Sequence, residues 1–342
     1  MKKQLLLLLL FLTFLAGCNS NSNVEMVNIP IDSSIDQNHK IDYSVFAQSV
    51  DSVILEKGSI PLSRIRKSCI YDSLLFILDD MKSIFVYNTE NGHLIKRIQK
   101  IGHGEGEYIE PMSVTVDAES FYLLDMANML ILKYDHSLNY QERIQVPIHS
   151  FDFIKVSDGF FMWNAGGYNE LNTIVHIDSK GELIDSYITP EMELDQLEST
   201  CIFSDDGAGH IYALQTVSDT IYEWRDNDIN VFGTLDFGLS SKKKYKLSSK
   251  KREALGIYSR GQSFVSQRYV LSLYYNNFYY LINIYDRQSG QSYCGTVKTP
   301  DGSFFIPYVL YKEVLYTISD RIVGEEPLSD YNTILLKYKL KK

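Results

Sequence analysis

Residues 121–135 read FYLLDMANMLILKYD, two short apolar runs joined by a turn that contains Asp125 and Asn128. Apolar runs of four to eight residues bounded by Asp, Asn or Gly are typical of β-strands. Asp and Asn favour turns because their side chains hydrogen-bond to nearby backbone groups. The stretch therefore predicts two antiparallel strands joined by a short turn.

The same pattern recurs along the whole chain. Paired apolar runs fall at 74–78 with 84–87, 121–125 with 130–135, 160–164 with 173–178, 210–214 with 220–224, 269–275 with 278–286, and 314–319 with 333–339. The equivalent residues Asp79, Asp125, Asn164 and Leu214 are 46, 39 and 50 residues apart. Units of about 40–50 residues with four strands each are typical of propeller blades.

The two ends of the repeat region fit a closed ring. The last unit, Phe304 to Lys339, supplies three strands, and Val50–Leu55 is an unpaired apolar run near the start. Pairing that run with the last unit would remove an exposed sheet edge. We therefore predict an all-β fold over residues 45–342: a six-bladed β-propeller of four-stranded antiparallel blades, with the last blade closed by an N-terminal strand.

The predicted turns form two sets. Asn91-Gly92, Lys180-Gly181 and Ser289-Gly290 are tight turns between third and fourth strands, whereas the turns between second and third strands vary in length. A radial arrangement of blades predicts tight turns on one face and irregular loops on the other.

The N-terminus carries an export signal. Lys2 and Lys3 precede the apolar run Leu5–Ala16, which is too short for a permanent membrane span. Leu15-Ala16-Gly17-Cys18 resembles the lipobox of bacterial lipoproteins, which implies cleavage before Cys18 and lipid attachment to it. We expect residues 1–17 to be a signal peptide and residues 18–44 to be the lipidated cysteine and a flexible tether. An ordinary secretory signal is the alternative.

A family resemblance rests on these features together. Asp125-x-x-Asn128-x-x-Ile131-x-x-Tyr134-Asp135 resembles the NHL repeat. With the lipobox and the loop Gly102-x-Gly104-x-Gly106-Glu107-Tyr108, the chain resembles TolB-like six-bladed propeller lipoproteins of Bacteroides-type bacteria. That family commonly has Pro where Glu105 stands here. The resemblance implies an outer-membrane lipoprotein that faces the periplasm or the cell surface, and it is clear over the first two blades.

Charge and cysteine content exclude some function classes. The formal charge is −10, and removing residues 1–17, with Lys2 and Lys3, makes it −12. Such an acidic chain is unsuited to nucleic acid, whose phosphates need a surplus of Lys and Arg. Besides Cys18, only Cys69, Cys201 and Cys294 are present, without a C-x-x-C spacing. This predicts free core thiols rather than a disulfide framework or a zinc site.

The glycine-rich loop, residues 102–108, is the first candidate site. It lacks the Lys-Ser/Thr ending of a phosphate-binding loop, and its acids Glu105 and Glu107 would repel phosphate. We predict that it crosses from the first blade to the second. Its polar groups, His103 included, are candidates to bind a sugar or peptide at the channel mouth. Alternatively, Glu107 and Tyr108 hold the loop against the neighbouring blade.

Three further groups carry candidate roles. Asp79, Asp125 and Asn128 are either turn caps or ligand-binding groups. The segment Ser241–Arg252 holds seven positive charges and no acid, Lys242, Lys243 and Lys244 among them. It either steers an anionic partner or a lipid headgroup surface, or is merely a solvated loop. Thr189–Thr200 is an acidic connection that carries no base.

Two function classes follow. We predict a monomeric, lipid-anchored module of the cell envelope that binds a protein or glycan partner without catalysis and without a cofactor. The sequence has no H-E-x-x-H or G-x-S-x-G signature. The alternative is an NHL-like propeller enzyme, a lyase or lactonase, with a divalent metal held by His103, Glu107, Asp125 and His210. This alternative predicts that chelation lowers heat stability.

Overall fold

The computed structural model describes residues 26–164, 171–188, 201–214, 218–225, 227–238, 257–276, 279–300, 302–319 and 333–342. These residues form twenty-six β-strands and one short 3-10 helix. No helix in the described ranges is long and apolar enough to cross a membrane. The all-β prediction is confirmed.

Each blade is formed by consecutive strands, apart from the N-terminal strands that precede blade 1. The N-terminal part holds β1 (Val27–Pro30), β2 (Lys40–Asp42), the 3-10 helix (Tyr43–Val45) and β3 (Ala47–Ile54). Blade 1 holds β4 (Ile65–Tyr71), β5 (Leu74–Asp79), β6 (Ile84–Asn88) and β7 (Leu94–Ile98). Blade 2 holds β8 (Pro111–Val116), β9 (Phe121–Asp125), β10 (Leu130–Tyr134) and β11 (Tyr140–Gln145). Blade 3 holds β12 (Phe153–Val156), β13 (Gly159–Trp163), β14 (Ile174–Asp178) and β15 (Leu183–Tyr187).

The second half of the chain completes the ring. Blade 4 holds β16 (Phe203–Asp205), β17 (Ile211–Leu214), β18 (Thr220–Arg225) and β19 (Asp228–Asp236). Blade 5 holds β20 (Ile257–Val265), β21 (Tyr269–Asn276), β22 (Tyr279–Asp286) and β23 (Gln291–Lys298). Blade 6 holds β24 (Pro307–Tyr311), β25 (Val314–Ser319) and β26 (Ile334–Leu340), and β3 is its fourth strand.

The blades form the predicted six-bladed ring. Within each blade the strands pair antiparallel in chain order, and the first strand of each blade packs beside the first strand of the next. β3 pairs antiparallel with β26, from Ile54 opposite Ile334 to Ala47 opposite Leu340. The predicted closure of the last blade by an N-terminal strand is therefore confirmed.

The hydrophobic core is divided among the blade junctions. One buried cluster lies at each of the six junctions. Phe76 of blade 1 stacks on Phe121 of blade 2 with ring centroids 4.9 Å apart. Phe161 of blade 3 meets Trp224 of blade 4 edge-on at 4.7 Å. Large aromatic side chains thus fill the wedge between neighbouring blades, where each buries a large apolar area.

The N-terminal segment wraps around the outside of the ring. β1 pairs parallel with β19, the outer strand of blade 4, and β2 pairs parallel with β23, the outer strand of blade 5. The sequence assigned residues 18–44 to a flexible tether, whereas these parts of the segment are paired with the propeller. Ile29 and Ile41 are buried there, which explains why the short strands are stable.

Two glycines make this wrapping possible. A Cβ atom on Gly233 of β19 would lie 2.6 Å from the carbonyl oxygen of Val27, and one on Gly295 of β23 would lie 2.4 Å from that of His39. Both distances are far below normal contact, so only glycine lets the outer strands accept the added backbone.

Glycine is also required in two of the tight turns between third and fourth strands, because another part of the backbone approaches closely there. Gly92 and Gly181 have φ angles of +75° and +90°, which glycine adopts without strain. A Cβ atom on either would lie 1.9 Å from a backbone oxygen, that of Ile54 or Gln145, in the outer strand of the preceding blade or at its end. The predicted turns therefore also form contacts between blades.

One end of the ring carries the irregular connections and is called here the loop face. It comprises the connections 55–64, 99–110 and 299–306 between blades and the turns between second and third strands, such as 80–83. The glycine-rich loop lies between β7 and β8, as predicted for a crossing from the first blade to the second.

We expect Gly233→Ala to displace β1, because the added methyl group would overlap the Val27 backbone. Overpacking of this kind costs about 1–3 kcal/mol in the free energy of unfolding. Hydrogen exchange should show faster exchange of the Ile29 and Ile31 amides, which lie on the side of β1 that donates to β19. The control is Gly290→Ala, where no atom lies within 4 Å of the added carbon. Its φ of +73° strains the β22–β23 turn of blade 5, so the control tests whether a destabilising glycine substitution away from β1 leaves exchange in β1 unchanged. Unchanged exchange in β1 of the Gly233 variant would contradict the role of this glycine.

Candidate functional site

The axis of the ring is a narrow channel between the six inner strands. Its internal cavity has a volume of about 30 Å³. The lining comes from all six blades and includes Lys67, Thr115, Ile154, Asp205, Gln262 and Tyr308. A cavity of this size holds one or two water molecules. This cavity therefore leaves little room for a larger ligand between the side chains that line it.

The Asp152 carboxylate, just before β12, is the centre of a buried network in the channel. The Lys67 ammonium of blade 1 lies 3.0 Å from both carboxylate oxygens. The Ser113 hydroxyl of blade 2 donates to Oδ1 at 2.5 Å. The backbone N–H groups of Ile202 and Phe203 in blade 4 donate to Oδ2 at 2.7 and 2.9 Å. One carboxylate therefore joins four blades.

Lys67 is the cationic partner in this network. Its ammonium also donates to the carbonyl oxygen of Phe203 at 3.2 Å, and its side chain is buried. Burial opposes its charge, but the attraction of Asp152 outweighs that cost and raises the pKa of Lys67 above its usual value. The ammonium and the carboxylate bond to each other and to neighbouring groups, so their hydrogen-bonding capacity is already in use.

Asp205 is the other notable acid of the channel, at the end of β16. Its side chain faces open space, yet the surrounding protein removes much of its solvation and raises the pKa of the carboxyl to about 6. The N–H of Gly207 donates to it at 2.9 Å and opposes this rise, whereas the negative charge of Asp206 adds to it. Asp205 therefore titrates near neutral pH.

Sequence reasoning did not single out Lys67, Asp152 or Asp205. Lys67 carried the one available signal, a charged residue within the apolar strand IRKSCIY. Its partner lies 85 residues away on another blade, so no local pattern connects them. By contrast, the sequence predicted that no disulfide framework forms: within the described ranges no disulfide joins Cys69, Cys201 and Cys294, of which Cys294 is buried and the other two are partly buried.

The glycine-rich loop is held in its conformation by the carboxylate of Glu107, one of its own residues. The N–H of Gly104 donates to Glu107 Oε2 at 2.8 Å. A Cβ atom on Gly102 would lie 2.0 Å from the same oxygen. Gly106 has a φ angle of +68°, and His103 and Glu105 are exposed. The glycines at 102 and 104 thus leave space for Glu107 to fold back over the loop.

Tyr108 fixes the end of this loop. Its ring is fully buried at the junction of blades 1 and 2, and its hydroxyl donates to the carbonyl oxygen of Lys82 at 2.9 Å. Burial raises the pKa of Tyr108 to about 12. The loop is therefore held against the second-to-third-strand turn of blade 1.

Asp79 and Asp125 occupy equivalent buried positions in blades 1 and 2. Asp125 accepts hydrogen bonds from the N–H groups of Ile109 and Glu110 at 3.0 and 2.8 Å, and from the Asn128 amide at 2.7 Å. Asp79 accepts from the N–H groups of Ser63 and Ser83 at 3.2 and 2.8 Å. Each carboxylate ties the turn of its blade to the segment that enters the inner strand.

The four residues of the metal hypothesis are not gathered in one place. His103, Glu107 and Asp125 lie on the loop face, whereas His210 lies in the first-to-second-strand turn at the opposite end of blade 4. His210 pairs with Asp206 at 2.6 Å. Within the described ranges no group of three or more His, Cys, Asp or Glu side chains is placed to hold a metal ion.

Some candidate residues fall outside the described part of the chain. They are Cys18, the lysine-rich segment with Lys242, Lys243 and Lys244, and the acidic connection Thr189–Thr200. Their predicted roles remain predictions.

The loop face displays apolar side chains that the sequence did not flag. Ile60, Met81, Ile101 and Phe304 come from three connections between blades and one turn, and all are exposed. Phe304 is 78% exposed and Met81 62% exposed. Exposed apolar side chains gathered on one face of a protein are typical of an interaction surface.

The fold and the channel define a six-bladed β-propeller with a narrow central channel and with exposed apolar side chains on its loop face. The chain belongs to the family described as domain of unknown function DUF4934, which matches residues 26–332. No curated protein matches the chain.

Solved structures share the fold at low sequence identity. A Bacteroides fragilis protein classed as exported is 16% identical, covers 93% of this chain and 100% of its own, and gives a TM-score of 0.72. A DUF4221 family member from Bacteroides vulgatus is 11% identical, covers 90% and 99%, and gives 0.55. A virginiamycin B lyase from Staphylococcus aureus is 12% identical, covers 86% and 99%, and gives 0.45, which supports no functional argument.

We expect Asp152→Ala to lower the free energy of unfolding by about 3–5 kcal/mol, because it leaves the Lys67 charge buried without a partner. The double variant Lys67→Met/Asp152→Asn removes both charges and keeps an oxygen to accept the backbone N–H groups. It should lose much less stability in urea denaturation. Equal losses for the two variants would show that the buried charge is not the cause.

Asp205 gives a pH-dependent expectation. Its folded pKa of about 6 exceeds the usual 3.8, so between these values the folded state holds more protons than the unfolded chain. Stability conferred by this group is therefore lost as the pH rises through that window. Relative to the wild type, Asp205→Asn should gain thermal stability as the pH rises from 4 to 6 and hold that gain above it. A difference independent of pH would contradict this assignment.

Proposed function

We propose that this chain is a lipid-anchored propeller of the cell envelope that binds a protein partner through its loop face without catalysing a reaction. The exposed apolar side chains of the loop face carry this proposal. Ile60, Met81 and Ile101 come from successive parts of the chain around blade 1. Aliphatic side chains of this kind suit a protein surface better than a glycan, which favours a protein among the predicted partners.

The small size of the channel cavity and the internal bonds of its polar groups favour partner binding at the loop face instead of in the channel. The small cavity is lined in part by Lys67, whose ammonium already bonds to Asp152 and to a backbone carbonyl. A substrate would have to displace these internal partners, which costs free energy. The loop face needs no such rearrangement.

The proposal includes the cellular location of the protein. The lipobox-like Leu15–Cys18 supports lipidation of Cys18, and the similarity in fold to an exported Bacteroides protein supports a place in the envelope. The NHL-like and TolB-like character rests on the Asp125–Asp135 motif and on the glycine-rich loop. The lysine-rich segment Ser241–Arg252 would add attraction for an anionic partner.

Crosslinking in native cells tests the proposal. Full-length protein with a C-terminal tag should bring down one stoichiometric envelope protein after mild crosslinking and purification. The variant Ile60→Ser/Met81→Ser/Ile101→Ser should lose most of this capture while folding normally, because the three side chains are already exposed.

The matched control is Ile95→Ser, which removes an exposed isoleucine from β7 on the outer wall of blade 1 instead of the loop face. It should capture the partner like the wild type. Capture that survives the triple variant, or that is lost equally in the control, would rule out the loop face as the binding surface.

A further inference from the structure

The place where the chain leaves the ring is fixed by β1. Its first residue, Val27, pairs with Gly233 on β19, so the segment toward Cys18 departs from the outer wall of blade 4. Eight peptide units separate Cys18 from Met26. A fully extended segment of this length spans roughly 26–29 Å. A lipid on Cys18 would therefore hold this wall close to the bilayer.

The wall around this exit point carries exposed apolar side chains from blades 3 and 4. We call it the blade 3–4 wall and define it by Met26, Leu183, Ile184, Val231, Tyr187 and Trp224. The first four are exposed, Met26 to 54%. Tyr187 and Trp224 are partly buried, and their ring centroids lie 5.9 Å apart across the junction between the blades.

Local strand geometry explains why these side chains point outward. The pairing of β14 with β15 shifts register between His176 and Ile177, which leaves Ile184 as an extra residue. Leu183 and Ile184 therefore lie next to each other at this irregularity, and both are exposed. On β19, Val231 lies opposite Tyr222, on the same sheet face as Trp224.

We infer that the blade 3–4 wall lies against the surface of the lipid bilayer that holds the anchor. This inference rests on the lipid anchor at Cys18 proposed above. The short link from Cys18 ends on this wall, so the local concentration of lipid there is high. The aliphatic side chains suit the acyl boundary, and Tyr and Trp favour the membrane–water interface.

The charges beside the wall specify the kind of lipid. The acids Glu182, Asp185 and Asp228 are exposed next to the apolar residues, and the cation beside Trp224, Arg225, is already paired with Glu223. Their carboxylates would repel anionic headgroups, so the wall suits a zwitterionic surface. The axis of the ring would then run along the membrane plane, and the loop face would remain open to a partner.

Tryptophan fluorescence tests this contact. The chain has two tryptophans: Trp163 is fully buried, and Trp224 lies on the wall. The lipidated full-length protein is reconstituted into phosphatidylcholine vesicles that contain lipid spin-labelled near the headgroup. We expect the label to quench the Trp224 emission. The variant Leu183→Glu/Ile184→Glu should lose most of this quenching while the protein still floats with the vesicles.

Ile95→Glu is the matched control. Ile95 is 46% exposed and Ile184 is 48% exposed, and both lie on outer strands, but blade 1 is opposite blade 4 in the ring. Its quenching should equal that of the wild type. Flotation without quenching overturns the inference, leaves the anchor intact, and points to a protein as the occupant of the wall. Failure to float overturns the anchor and, with it, the inference.

Discussion

The Asp152 carboxylate is the constraint around which the axis of this propeller is organised. A ring of blades closed by hydrophobic junctions has its polar strand edges facing a narrow channel, where an unpaired charge would be costly. Asp152 accepts from the side chains of blades 1 and 2 and from the backbone of blade 4. Four of the six blades are thereby held in one relative position by one group.

This arrangement also sets the character of the channel. Because Lys67 and Asp152 satisfy each other, the axis is polar but already occupied by its own residues. A propeller that used its axis for chemistry would need free acids, bases or metal ligands pointing into an open space. Here the acid with room around it is Asp205, whose charge is disfavoured by its surroundings.

The sequence contained most of the fold but little of the channel. Strand pairs with Asp or Asn at their turns, and the orphan run Val50–Leu55, were enough to predict six blades and their closure. These signals are local, or they involve the two chain ends. The strands β1 and β2 were missed because three or four residues with one or two apolar positions give no measurable alternation. What makes them strands is the glycine opposite each, on another part of the chain.

The candidate sites also differ in whether they are built from neighbouring residues or from residues far apart in the sequence. The glycine-rich loop was recognisable because its spacing is local, and Glu107 with Gly102 and Gly104 explains that spacing. The Lys67–Asp152 pair and the blade 3–4 wall each combine residues from different blades, so only the ring brings them together. Tertiary assembly, which the sequence pattern does not encode locally, creates these features.

The wrapped N-terminal segment determines how the proposed membrane-facing wall and the loop face are placed relative to each other. A tether that simply ended at β3 would leave the ring beside blade 6, at the end of that blade opposite the loop face. By running along blades 5 and 4 first, the chain moves its exit point to the side of the ring opposite blade 1. The exposed residues Ile60, Met81 and Ile101 surround blade 1, so the attachment point and this part of the loop face are separated by the width of the propeller. An anchored protein built in this way can hold its membrane on one side and offer the other side to a partner.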